Sequence, residues 1–112
     1  DRARIEQMEF LQKHQITTRE ELVAYRTQLK EQVQALTKER KRLYRSEPDS
    51  ARISQITEEL KPLRKDIRIC IRIEQQSNEM EERMRLVEQL QRQAEQEEEQ
   101  TEKTRQPRTE SR

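Results

Sequence analysis

Glycine is absent from this 112-residue chain, and with it the cheapest source of positive backbone φ. Tight hairpin turns, phosphate cradles and dinucleotide-binding loops draw on that freedom, so β-rich folds and nucleotide loops are disfavoured together. Aromatic residues are reduced to Phe10, Tyr25 and Tyr44. Hydrophobic residues make up only 29% of the chain, against roughly 45–50% in an average globular domain. That is too little apolar volume for a two-layer core; a narrow seam between long helices is what it can bury. The lone cysteine, Cys70, excludes an internal disulfide and a multi-cysteine metal site, and fits a reducing compartment. No apolar run approaches the roughly 20 residues of a membrane span, and no signal-peptide core is present. The expectation is a soluble, cytoplasmic protein with no membrane partner, no small-molecule substrate and no cofactor.

What the chain has in abundance is charge. Charged residues reach 42%, with 24 Lys and Arg against 23 Asp and Glu. This balance makes no global case for nucleic acid; only local clustering can make one. The sequence opens on Asp1, and we read it as part of something longer.

The spacing predicts a short helix over residues 1–14, with Ile5, Met8 and Leu11 at helical intervals beside Phe10. His14-Gln15-Ile16 breaks that pattern. Thr17 and Thr18 follow, each with a glutamate three residues on (Glu20, Glu21), which is the signature of a capping box. Leu22, Leu29, Leu36 and Leu43 then recur every seven residues, with Arg26, Val33 and Arg40 in the alternate seam position. A turn is expected at 46–50, around Pro48, with Asp49 or Ser50 capping the next helix. Beyond it Ile53, Ile56, Leu60, Leu63, Ile67 and Cys70 step by three and four.

The two seams mirror each other about Pro48. Leu43 meets Ile53, Leu36 meets Leu60, Val33 meets Leu63 and Leu29 meets Ile67. Arg40 then faces Ile56 and Arg26 faces Cys70, with aliphatic stems covering the seam. The fold class expected is all-α: a short N-terminal helix, a long antiparallel coiled-coil-like hairpin over 18–92, and a disordered charged tail over 93–112. Pro62 should kink the return helix. Residues 67–73 alternate like a strand but lack a partner strand, so helix is kept. Their extra isoleucines, Ile69, Ile71 and Ile73, broaden a face on which Ile5, Met8 and Leu11 are expected to dock. Ser77-Asn78, with Glu81, is placed to cap a further helical stretch carrying Met80, Met84, Val87 and Leu90.

No catalytic or metal constellation emerges. His14 is the only histidine, and a metal needs several ligands, so it is read as a solvated helix-end residue. Tyr25 and Tyr44 could serve as nucleophiles in principle, but packing on the hairpin flank is favoured. Cys70 is read as a buried structural thiol. The acidic pairs Glu58-Glu59 and Glu81-Glu82 diverge by about 100° on a helix and are solvated faces. The basic clusters weigh more. Lys38, Arg40, Lys41, Arg42 and Arg45 lie near the hairpin tip, and Lys61, Arg64, Lys65 and Arg68 on the return helix. They are neighbouring sets rather than one patch, and are candidates for following a phosphate backbone. The alternative is ordinary helix-surface charge balanced by Glu39, Glu58 and Glu59.

The order of pieces also resembles a known family. The residues concerned are Arg4 to His14, Ile16 to Leu22, Tyr25, Leu36 to Arg45, and Leu60 to Cys70 with its single cysteine. Together they are similar to the C-terminal region of relaxases, the mobilisation nucleases of conjugative elements from Gram-positive bacteria. The likeness covers roughly residues 1–90. It implies a parent protein that nicks a transfer origin with a tyrosine and metal-binding histidines in an N-terminal domain. None of that motif occurs here, so no catalytic residue is carried over and no enzyme activity is expected of this chain. The resemblance implies a helical module contacting DNA, relaxosome partners or the transfer machinery. The rival expectation is a structural or dimerisation coiled coil of an unrelated protein, pairing through Met80, Met84 and Val87.

Overall fold

The computed structural model describes residues 1–105, which form three helices and no strand: α1 (Arg2–Lys13), α2 (Arg19–Ser46) and α3 (Ala51–Arg105). The chain divides into two compact units, Asp1–Gln76 and Ser77–Arg112, and α3 contributes to both.

In the first unit α2 and α3 form the antiparallel hairpin. Its tip is built as the composition requires, from side chains rather than glycine. Glu47 closes α2 by donating its N–H to the Leu43 carbonyl at 2.7 Å. Ser50, not Asp49, opens α3, its hydroxyl accepting from the Arg52 N–H at 3.2 Å. Thr18 caps α2 by accepting from the Glu21 N–H at 3.1 Å, while the Glu21 carboxylate reaches back to the Thr17 N–H at 3.2 Å. The capping box is therefore present, with its return arm landing one residue before the cap.

Two apolar clusters hold the seam. Near the tip, Leu43, Ile56 and Leu60 are buried, with Val33, Leu36 and Ile53 packed against them. Towards the open end, Leu22, Leu29 and Cys70 are buried together with Phe10 and Ile16. Ile67 and Leu63 pack against this second cluster. The predicted layers of Leu43 with Ile53, Leu36 with Leu60 and Leu29 with Ile67 each fall within one cluster; Val33 and Leu63 fall on either side of the junction. The seam arginines hold to the same alignment by their heads. Arg40 donates to the Thr57 hydroxyl at 3.1 Å, and Arg26 pairs in a fork with Glu74, one turn beyond Cys70.

Three expectations are corrected. First, α1 docks through Phe10 and Leu11, while Ile5 and Met8 stay 55% and 61% exposed. The reason is aromatic. His14 is not solvated but half-buried, its ring centroid 4.6 Å from both Phe10 and Tyr25. Tyr25 accordingly packs on the core cluster, and this stack sets which side of α1 turns inward. Second, Ser77-Asn78 starts no new helix, because α3 is already continuous there and its donors are already satisfied within the helix. Third, helix persists to Arg105, past the Gln93 where the apolar pattern ends; residues 106–112 lie outside those described. Ala, Glu, Gln, Lys and Arg are strong helix formers, so the segment is helical without burying anything. Pro62 lies within α3, as expected. It is exposed, so the Glu58 carbonyl it leaves without a donor is open to water.

The link between α1 and α2 shows what lacking glycine does. Gln15 takes φ 54°, and the Ile16 N–H bonds the Leu11 carbonyl at 2.9 Å while the Gln15 N–H bonds that of Gln12 at 3.2 Å. This is a Schellman close with glutamine where glycine is preferred, and Ile16 buried behind it. Gln15→Gly should therefore stabilise the first unit by about 1 kcal/mol, read as a higher urea midpoint. Gln15→Ala should not.

Cys70 is fully buried. Burial, reinforced by the charges of Glu74 and Asp66, pushes its thiol from 9.0 up to about 11. A raised folded-state pKa contributes stability that is complete below the unfolded value and is lost as pH climbs through the folded one. Stability should fall between about pH 9 and 11 more steeply in the wild type than in Cys70→Ala, measured by urea unfolding across that range.

In the second unit, every side chain from Asn78 to Thr104 is exposed. Local pairs such as Arg92 with Glu88 at 2.8 Å and Arg85 with Glu82 at 3.6 Å decorate the helix.

Candidate nucleic-acid interface

The basic residues near the tip are positioned by α2 alone. Lys38, Lys41, Arg42 and Arg45 fall at intervals of three, four and seven residues, which stacks them into one stripe. At about 100° per residue, that stripe lies on the side of α2 turned away from Leu36 and Leu43. All four are exposed, and together they line a shallow surface depression with Ala35, Glu39 and Ser46.

Electrostatics favour an anion there. Lys38, Lys41, Arg42 and Arg45 enter no ion pair among the described residues. The one carboxylate in the depression, Glu39, is held from the other helix by Arg52, at 3.0 and 3.4 Å. Hydrogen bonding to Arg52, aided by the field of Arg42, keeps the Glu39 carboxyl below its usual range. Arg52 also bonds Glu59 at 3.1 Å. Glu39 is thus hydrogen-bonded to Arg52 rather than to the stripe, and of the stripe only the field of Arg42 acts on it. Arg52 went unnoticed in the sequence because the mirror alignment does not place it opposite Glu39. Only a long side chain reaching along the helix joins them.

The other candidates separate from this stripe. Arg40 turns into the seam towards Thr57 and is half-buried. Lys61, Arg64, Lys65 and Arg68 form their own exposed stripe on α3, and no α3 residue lines the depression on α2. Lys61 is paired with Glu58 at 3.0 Å and Lys65 approaches Glu6 of α1 at 3.9 Å, so part of that charge is answered locally. The structure sets four of the nine candidate cations on the α2 stripe, four on a separate α3 stripe, and turns Arg40 into the seam.

Among the described residues, no three His, Cys, Asp or Glu side chains are placed to hold a metal ion. No helix among them is long and apolar enough to cross a membrane. No family model, no curated protein and no solved structure matches this chain.

Proposed function

We propose that this chain is a non-catalytic helical module that contacts the phosphate backbone of DNA through Lys38, Lys41, Arg42 and Arg45, within a relaxase that acts in conjugative transfer. One observation carries the DNA contact: four exposed cations without carboxylate partners share one helix stripe, beside a glutamate already engaged by Arg52. The relaxase setting rests on the sequence resemblance over residues 1–90. Phosphate contacts position a protein on nucleic acid without reading bases, so the module would hold a strand or duplex rather than select a site. Exposed stripes of this kind also draw polyanions in by long-range attraction.

The test is fluorescence anisotropy with labelled single- and double-stranded DNA at low salt. Reversing all four residues to glutamate should abolish binding. Reversing Lys61, Arg64, Lys65 and Arg68 should weaken it less. The four α2 positions are exposed and join no ion pair among the described residues, so the urea midpoint of that variant should stay close to wild type. The α3 variant, which loses Lys61–Glu58 and Lys65–Glu6, should fall slightly below it. Wild-type chain that fails to bind either DNA at low salt rules the proposal out.

A further inference from the structure

The second unit carries an apolar face that nothing in the described chain covers. Met80, Met84, Leu86, Val87 and Leu90 are 51–65% exposed. Met80, Val87 and Ala94 recur every seven residues, Leu90 falls between the last two, and Met84 and Leu86 flank them. A 3.5-residue repeat of this kind is the seam of a coiled coil. The charged residues Glu81, Glu82, Arg85, Glu88, Arg92 and Glu95 keep to the opposite side, so the face is amphipathic rather than merely greasy.

Two charges break the stripe, and their placement says what fits it. Arg83 lies seven residues before Leu90 and Glu97 seven after, in the same heptad column. Neither joins an ion pair among the described residues, whereas Arg85 and Arg92 on the far side both do. A parallel, in-register partner would set Arg83 against Arg83 and Glu97 against Glu97. An antiparallel partner centred between Val87 and Leu90 stacks Val87 on Leu90 of the second copy. It also brings Arg83 within a turn of that copy's Glu97, at both ends.

We infer that this face binds a second copy of the same chain, antiparallel, through Met80, Val87, Leu90 and Ala94, with Arg83 and Glu97 fixing direction. The inference stands on residues separate from the basic stripe and survives or fails independently of DNA binding. Charges at the seam of a coiled coil select direction and partner more than they add affinity, because like charges brought together are penalised.

Sedimentation equilibrium of the full chain, from micromolar to millimolar, should show a monomer–dimer equilibrium. Leu90→Glu should leave a monomer throughout while the near-ultraviolet signal of Tyr25 in the first unit is kept. Arg83→Glu should weaken the dimer about tenfold, since two exposed attractions become repulsions. Adding Glu97→Arg to it should restore the wild-type constant. A wild-type monomer at every concentration, or a dimer indifferent to Arg83→Glu, overturns the inference.

Discussion

Leu60→Ala should cost the first unit about 4 kcal/mol, among the largest losses expected from a single truncation in the hairpin. Leu60 is 1% exposed and Ile56 fully buried, and with Leu43 they are the whole buried content of the tip cluster. In a large core, neighbours relax into part of the space that a deletion opens. Here two helices meet along one seam, and the half-buried Val33, Leu36 and Ile53 are already committed to Leu60 and its neighbours. The residual cavity should therefore stay open, which puts the substitution in the upper part of the range for leucine deletions. Small domains hold only about 5–15 kcal/mol in total, so the tip should open well before the rest in urea. The control is Ile5→Ala. Ile5 belongs to the same unit but is 55% exposed, so its loss should remain within about 0.5 kcal/mol. Amide exchange at α2 residues 36–43 is the second readout, and it should accelerate in Leu60→Ala alone. A loss below 1 kcal/mol would mean that the tip layers do not bear on stability.

The hairpin was readable because its information is local and periodic. Leu22, Leu29, Leu36 and Leu43 can only face one way on a helix, Pro48 marks where the chain must turn back, and the α3 seam repeats the spacing in reverse. Thr18 with Glu21 was readable for a similar reason, since both partners of the cap lie within four residues. The docking of α1 was not. Ile5 and Met8 lie on one side of that helix and Phe10 on another, and both sides are apolar enough to bury. The choice is made by Tyr25 and His14 stacking with Phe10, a contact between segments that periodicity within α1 does not contain. The stretch after Gln93 shows a different limit. Its composition correctly indicates that nothing there is buried, yet burial and helicity are separate properties, and Ala, Glu, Gln and Lys favour helix with or without a core. The candidate interface was half readable. Sequence clustering identified Lys38 to Arg45, but Arg40 was grouped with them although its seam position turns it to Thr57.

Raising salt from 50 to 200 mM should weaken DNA binding by this chain roughly 40- to 150-fold. The number follows from the length of the stripe. Lys38 to Arg45 spans seven residues, about 10 Å along α2 at 1.5 Å each. Phosphates recur about every 3.4 Å of helix axis on each strand of a duplex, so a stripe of this length can engage about three or four of them. Each neutralised phosphate releases condensed counterions, giving a slope of log affinity on log salt of about −0.9 per contact, or roughly −2.7 to −3.6 in all. Single-stranded DNA should give a shallower line, near −0.7 per contact. Replacing Arg42 alone with alanine should flatten the duplex slope by about 0.9 and weaken binding to unrelated sequences equally, as a backbone contact must. The same substitution at Arg40 should leave the slope unchanged, because that side chain is spent on Thr57 inside the seam. The pair distinguishes a defined stripe from diffuse attraction to a charged surface. If cations act merely by number, Arg40→Ala and Arg42→Ala must shift the slope alike, and the stripe on α2 has no special role.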